Sequence, residues 1–315
     1  MLGLGKKKLA KDLLVSVCPN TQGIAMASIR RGKDLPPSLE LCAFQPGQGD
    51  STDLKKLVKA NDLDRAVCIS VMELGSYSLL QVEAPEVPAD ELRAAIRWRV
   101  KDLIDFHIDD AVIDVFEVPD DKGAGKKTMY VVAAKAALVK QRIKDLMQAG
   151  LQLEVLDIPE LALRNIAAML PDDVNGVALV YIEQSEGLIT ITRKETLYLS
   201  RRIRFGYNSL PDTAIHGNDQ EAIEGWFNSI IIEVQRSLDY YESHFSQPQV
   251  SGLVIAPGSK EVPGMAEYMS VQLGLPARLL DVNTLIDVTT VLDRQAQSQC
   301  LLAIGTALRQ ESIAL

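Results

Sequence analysis

Cysteine is scarce in this chain of 315 residues: there are four, Cys18, Cys42, Cys68 and Cys300, all inside apolar runs and none in a CxxC pair. That excludes a disulfide framework and a thiolate metal site, and it reads as buried free thiols in a reducing compartment. Histidine is scarcer still: His107, His216 and His244 stand apart from one another, with no HExxH and no other zinc spacing. Aromatic residues make up 5% of the chain. Basic residues number 33 against 42 acidic, a net charge of -9, which argues against a uniformly basic surface for nucleic acid. No apolar run approaches the ~20 residues of a membrane-spanning helix. Lys11 and Asp12 interrupt the only stretch that could serve as a secretory h-region, and no cleavage site follows.

What remains is an ordinary globular composition, 47% hydrophobic and 24% charged, with length for about two domains. Strands are expected at 13–17, 24–30 and 38–44, separated by the turn signals Pro19-Asn20 and Gly23. A helix capped by Ser51 or Thr52 should cover 53–60, and 66–71 reads as a buried strand. Pro88, Asp90 and Glu91 mark a helix start, followed by Leu92, Ala95, Ile96, Val100, Leu103 and Ile104 at helical spacing. Trp98 lies off that stripe and reads as partly buried against a neighbour or as an interface anchor. Strands at 111–118 and 128–134 flank a polar loop, 119–127. A helix at 136–149 closes on Gly150, a strand at 151–158 follows, and then a helix at 159–170.

Pro171 to Gly176 looks like a boundary. Beyond it a second meander begins, with strands at 177–183, 187–193 and 196–203. A long helix over 219–245 buries Ile223, Trp226, Phe227, Ile230, Ile231, Val234, Leu238 and Tyr241. Then come a strand at 252–256, a helix opened by Pro263 and closed by Gly274, a strand at 277–281, and a last helix over about 294–309. The second half thus opens as the first did, which points to two halves of related topology.

Catalytic motifs are wanting. The run 123–128 imitates a phosphate loop, yet Lys127 stands where Ser or Thr belongs and a strand follows instead of a helix. Gly3 and Gly5 precede the first strand, so they cannot form a dinucleotide turn. Asp109-Asp110 and Asp172-Asp173 read as cap or turn carboxylates, because neighbouring side chains of an extended chain diverge.

Several segments resemble the PilM family of type IV pilus assembly proteins. They are Val87–Arg99 continued by Ile104–Asp109, Glu233–Tyr241, Val262–Met265 with Leu273–Pro276, and Leu302–Arg309, together with the opening Met1–Lys8. Within the family the resemblance is closest to the MshI branch, which serves mannose-sensitive haemagglutinin (MSHA) pili. The resemblance implies an α/β, actin-like and FtsA-like (ribonuclease H-like) fold of two lobes with mixed sheets. The first lobe would span 1–173 with an inserted subdomain at about 85–155. The second would span 174–315 with a subdomain at about 204–248, and the last helix is placed to pack back on the first lobe. It implies a cytosolic scaffold at the cytoplasmic face of the inner membrane that holds the short tail of a PilN-like protein in a groove beside the inserted subdomain. Trp98 and Phe106 are the aromatic candidates for that groove, and core packing explains them equally. Self-association, as in FtsA-like filaments, and contact of Lys6, Lys7 and Lys8 with anionic lipid are further readings.

The family's ATP site rests on three glycine-rich turns, and this chain departs from each. Ser16 and Cys18 replace the aspartate and glycine of the first turn, before Asn20, and Pro19 removes an amide donor. At the second, Tyr181, Glu183 and Gln184 stand in place of Asp-x-Gly, and Glu183 would repel phosphate. At the third, only Gly258 survives, after Ala256 and Pro257. The expectation is a protein-binding scaffold without catalytic residues, cofactor or metal. The competing reading is an ATP-binding actin-like switch with slow ATPase activity and magnesium.

Overall fold

The computed structural model describes residues 13–20, 22–32, 36–47, 49–88, 91–119, 128–217 and 219–310. Lys6–Lys8, Gly3, Gly5 and most of the 119–128 loop lie outside the described residues.

The first lobe opens with β1 (Leu13–Asn20), β2 (Gly23–Arg30) and β3 (Ser38–Pro46), an antiparallel meander. Helix α1 (Ser51–Ala60) follows, capped by Asp50, whose carboxylate accepts the amides of Thr52 and Asp53. The cap is therefore one residue earlier than expected: an aspartate in extended backbone outcompetes the two hydroxyls beside it. Strand β4 (Val67–Val71) then runs parallel to β1.

The inserted subdomain comes next: β5 (Tyr77–Glu83), α2 (Leu92–Val100), β6 (Ala111–Glu117), β7 (Thr128–Lys135) and α3 (Ala136–Gln148). Its three strands form a separate sheet in the order β5-β7-β6. It begins ahead of residue 85, because Tyr77–Glu83 pairs along its whole length with β7. Helix α2 is shorter than its apolar stripe: the chain turns after Val100, with Leu103 amide bonded to Val100 carbonyl, so Leu103 is 56% exposed. Gly150 sits at φ +92 just past α3, the left-handed position where glycine is free of Cβ strain. Strand β8 (Gln152–Asp157), expected inside the insertion, instead pairs with β4 in the first lobe's own sheet. Helix α4 (Pro159–Ala167) completes this half.

The second lobe repeats the plan. Strands β9 (Val177–Ile182), β10 (Gly187–Arg193) and β11 (Thr196–Ile203) form the meander. Helices α5 (Asp212–Gly217) and α6 (Gln220–Phe245) follow, then β12 (Gly252–Ile255), α7 (Met265–Leu273), β13 (Ala277–Leu279), β14 (Asp287–Val288) and α8 (Arg294–Ala307). Pro263 does not open α7: Gly264, at φ +77, sits between it and the first helical residue.

The first sheet is ordered β14-β3-β2-β1-β4-β8 and the second β11-β10-β9-β12-β13. Leaving aside the edge strand β14, both have the same order: a three-strand antiparallel meander reversed in space, then two parallel strands reached by crossovers. This doubling of a ribonuclease H-like sheet is the actin-like architecture.

Side-chain alternation assigns the faces. In β1, Val15 and Val17 point to a core shared with Leu54 and Leu57 of α1 and Leu146 of α3. Ser16 and Cys18 point the other way, toward α8. Helix α8, from the end of the chain, packs on β1, β2 and β3, while α4, from the first half, packs on β10, β11 and β9. The two helices cross between the sheets, and their apolar residues form one core with Ala25, Ala27, Leu179 and Tyr181. The crossing is tight at Gly305, where an added Cβ would lie 2.3 Å from the Ala162 carbonyl. On the outer face of the second sheet, Ile223, Phe227, Ile230, Val234 and Leu238 of α6 pack over Ile189 and Ile191.

Candidate functional site: the inter-lobe loops and a groove between two sheet edges

The three loops singled out in the sequence do converge between the lobes. Asn20, Gln22, Tyr181, Glu183, Gln184 and Ser298 enclose a cavity of about 30 Å³. That is room for about two waters. Several side chains of these loops are bonded within the protein. The buried Ser16 hydroxyl donates to the Ala303 carbonyl of α8 at 2.6 Å. Cys18 Sγ lies 3.8 Å from Thr306 Oγ1, and burial pushes its thiol up to about 12. Asn20 Oδ1 accepts the amides of Gln22 and Gly23 at 2.9 and 3.0 Å, closing the β1–β2 turn.

At the second loop, Tyr181 OH donates to Glu183 Oε1 at 2.8 Å, and burial raises the Glu183 carboxyl above the ordinary glutamate range. Gln184 Nε2 donates to Ser259 Oγ at 2.9 Å, linking the second loop to the third. Ala256, Pro257 and Gly258 are all buried. Gly258 has its own explanation: a Cβ there would sit 1.7 Å from Tyr207 OH. The phenol ring of Tyr207, itself tilted against Trp226 at 5.3 Å, occupies the space the glycine leaves. A wider hollow of about 500 Å³ opens beyond, lined by Phe44, Pro46, Gly258, Glu261, Arg294 and Gln299.

The sequence resemblance implied a groove beside the inserted subdomain, but the residues that line the groove described next were not read from it. A groove of about 510 Å³ runs between β5 of the inserted subdomain and β11 of the second lobe. Each of these strands is paired on one side only. Its lining includes Leu74, Gly75, Tyr77, Gln81, Tyr130, Glu160, Arg201 and Arg202. Gly75, at φ +80, permits the approach of Arg202, whose Nη2 lies 2.5 Å from where a Cβ would stand. Tyr130 OH bridges the two sides: it donates to the Tyr198 carbonyl at 3.1 Å and accepts the Ser200 amide at 3.3 Å. It thereby closes part of the β11 edge, while the Tyr77–Glu83 edge carries no strand partner among the described residues.

Buried nitrogens of two groove-lining side chains lack partners among the described residues. Gln81 Nε2 and Arg201 Nε are buried and make no hydrogen bond. Glu160 is 4% exposed, in the first turn of α4, and accepts a short hydrogen bond from Tyr77 OH. Burial pushes its carboxyl up to about 7, against the pull of that hydrogen bond. Arg202 pairs with Glu186, and Arg201 Nη1 lies 3.9 Å from Glu233. These residues are scattered over four elements and a loop, so only a three-dimensional arrangement gathers them.

Trp98 and Phe106 do not line the groove. Trp98 is 73% exposed on α2, with Lys101 Nζ 4.8 Å from its ring centroid, so it is not the partly buried residue first expected. Phe106 is half-buried beneath Lys135, whose Nζ lies 5.4 Å from its ring. Among the described residues no helix is long and apolar enough to cross a membrane.

No curated protein matches the chain. Among solved structures, a PilM–PilN type IV pilus biogenesis complex matches at a TM-score of 0.76 and 17% identity, over 94% of this chain and 97% of that one. The cytoplasmic domain of EpsL, an inner-membrane component of the type II secretion system of Vibrio cholerae, matches at 0.51 and 11%, over 95% and 96%. Both likenesses are of fold. Residues 80–217, which contain the inserted subdomain, the α4 crossover and the second meander, match the family model described as type IV pilus assembly protein PilM.

Proposed function

We propose that this chain is a non-catalytic adaptor of a type IV pilus machine, cytoplasmic and held at the inner membrane through its partner. The partner is the short cytoplasmic tail of a PilN-like protein, and the pilus is of the MSHA type. The observation that carries the reading is the groove between β5 and β11. An unpaired strand edge offers a row of amides and carbonyls that an extended peptide can complete. The volume of the groove, about 510 Å³, lies within the range of ligand sites. The family match over 80–217 takes in Gln81, Tyr130, Glu160 and the β11 wall, and the PilN of the similar complex supplies the kind of partner. The MSHA assignment rests on the sequence resemblance to the MshI branch.

The same reading leaves the inter-lobe loops without nucleotide. The residues present do not fit magnesium ATP: Ser16 is turned to α8, Tyr207 fills the space over Gly258, and Glu183 would face a phosphate with its own carboxyl. The test is calorimetry with a synthetic peptide of the cytoplasmic tail of a PilN-type protein from the same genome, and separately with Mg-ATP and Mg-ADP. Saturable peptide binding that Ser200→Trp abolishes, with no heat from millimolar nucleotide, is the expected result. Nucleotide binding without peptide binding would favour the ATP-dependent switch.

A further inference from the structure

Resting on that reading of the groove, we propose that the peptide it takes is basic, and that Glu160 is the residue that receives its cationic nitrogen. The carboxylate lies in the groove lining without an ion pair, unlike the charged groups around it. Arg202 on β11 is held by Glu186, Arg201 on β11 faces Glu233, and Arg142 on α3 is held by Glu73 at 2.9 Å. Asp157 at the end of β8 is paired with Arg309 at 2.7 Å. Among the described residues Glu160 makes no such pair, and its hydrogen-bonding neighbour is the neutral phenol of Tyr77 on β5.

A carboxylate that is 4% exposed and unpaired is costly to keep charged. A cation entering the groove would remove that cost and complete the site. The side chains of Gln81 and Arg201 line the same groove, and their buried Nε2 and Nε make no hydrogen bond among the described residues. A tail next to a membrane span on the cytoplasmic side is also where Lys and Arg accumulate. The cation is either a Lys or Arg side chain or the free amino terminus of the tail.

The probe is the PilN-type tail peptide in three forms: unmodified, with its Lys and Arg replaced by Gln, and amino-terminally acetylated. Each is titrated into the wild type and into Glu160→Gln, which keeps an acceptor for Tyr77. Glu160→Gln is expected to weaken the unmodified peptide at least tenfold at pH 8. One of the two altered peptides should lose the same factor against the wild type and nothing further against the variant, which identifies the source of the cation. Because the free carboxyl is half-protonated at about pH 7, wild-type affinity should rise about tenfold between pH 6 and 8, and Glu160→Gln should abolish that rise. If the peptide binds, and Ser200→Trp blocks it, but Glu160→Gln changes neither affinity nor its pH profile, this inference is overturned and the groove reading stands. If the wild type binds none of the peptides, the groove reading fails with it.

Discussion

Glu160 makes a prediction about stability that needs no partner. Its carboxyl is raised from 4.5 to about 7, chiefly by desolvation. An acid with a raised folded pKa binds its proton more tightly in the folded state. Stability is therefore undiminished below pH 4.5, falls as the unfolded chain ionises, and reaches its floor above pH 7. The full gap of 2.5 units corresponds to about 3 kcal/mol at 1.36 kcal/mol per unit. About 1 kcal/mol of it is already lost at pH 5.5, so roughly 2 kcal/mol should go between pH 5.5 and 8.5. Gln at this position cannot ionise and still accepts from Tyr77. Glu160→Gln should therefore be more stable than the wild type, by a margin that grows by about 2 kcal/mol over this range. With an unfolding entropy of about 2.1 cal/mol/K per residue, the melting-temperature difference should widen by about 3 °C. Thermal melts of the two proteins in parallel at pH 5.5, 7 and 8.5 measure it. Parallel profiles across the range would refute the reasoning, because they would mean the carboxylate is solvated in the folded protein. A stabilising Glu160→Gln would fit the ligand role proposed for this carboxylate, since residues kept at a cost to stability are commonly functional.

Two further predictions follow from burial. Arg309→Met removes the partner of Asp157, which is 3% exposed, and should cost about 3–5 kcal/mol in urea unfolding at pH 7, because a buried charge is left uncompensated. Trp98→Ala, at a residue 73% exposed, should change the unfolding free energy in urea by no more than about 0.5 kcal/mol, so any loss of pilus assembly in that variant would report an interaction surface.

Much of the plan was legible because it rests on periodicity and punctuation. The two meanders, the long α6 stripe from Ile223 to Tyr241 and the left-handed Gly150 are local signals, and they appear where expected. Strand β5 was not read, although Tyr77–Glu83 is rich in strand formers; it is a short segment set between the Gly75-Ser76 and Pro85 breakers. The groove was not legible for a stronger reason. Its walls are brought together by pairing Tyr77–Glu83 with β7 and by the α4 crossover, so Glu160 and Arg202 become neighbours only after both lobes have formed. Trp98 misled in the other direction: aromatic residues bury large areas on average, but its place off the Ile96–Val100 stripe is what decided its exposure.

The surviving glycine of the third loop has a packing explanation of its own. Gly258 stands where a nucleotide-binding turn would need one, yet what it accommodates is Tyr207, whose ring could not sit there against any Cβ. Tyr207 is 3% exposed and packs with Trp226, so Tyr207→Ala should cost about 3–5 kcal/mol through the void it leaves. The void would adjoin the third loop and the wider hollow beyond it, giving a base or ribose more room to enter. Even so, the first two loops would still present Ser16 bonded to Ala303 and Glu183 bonded to Tyr181, with no aspartate free to hold magnesium. The variant should therefore melt at the same temperature with and without millimolar Mg-ATP. A ligand present at 100 times its dissociation constant would add about 2.7 kcal/mol, well above detection. Recovery of stability by Mg-ATP in Tyr207→Ala, absent from the wild type, would show that the phosphate loops are competent and that one aromatic ring alone keeps them closed.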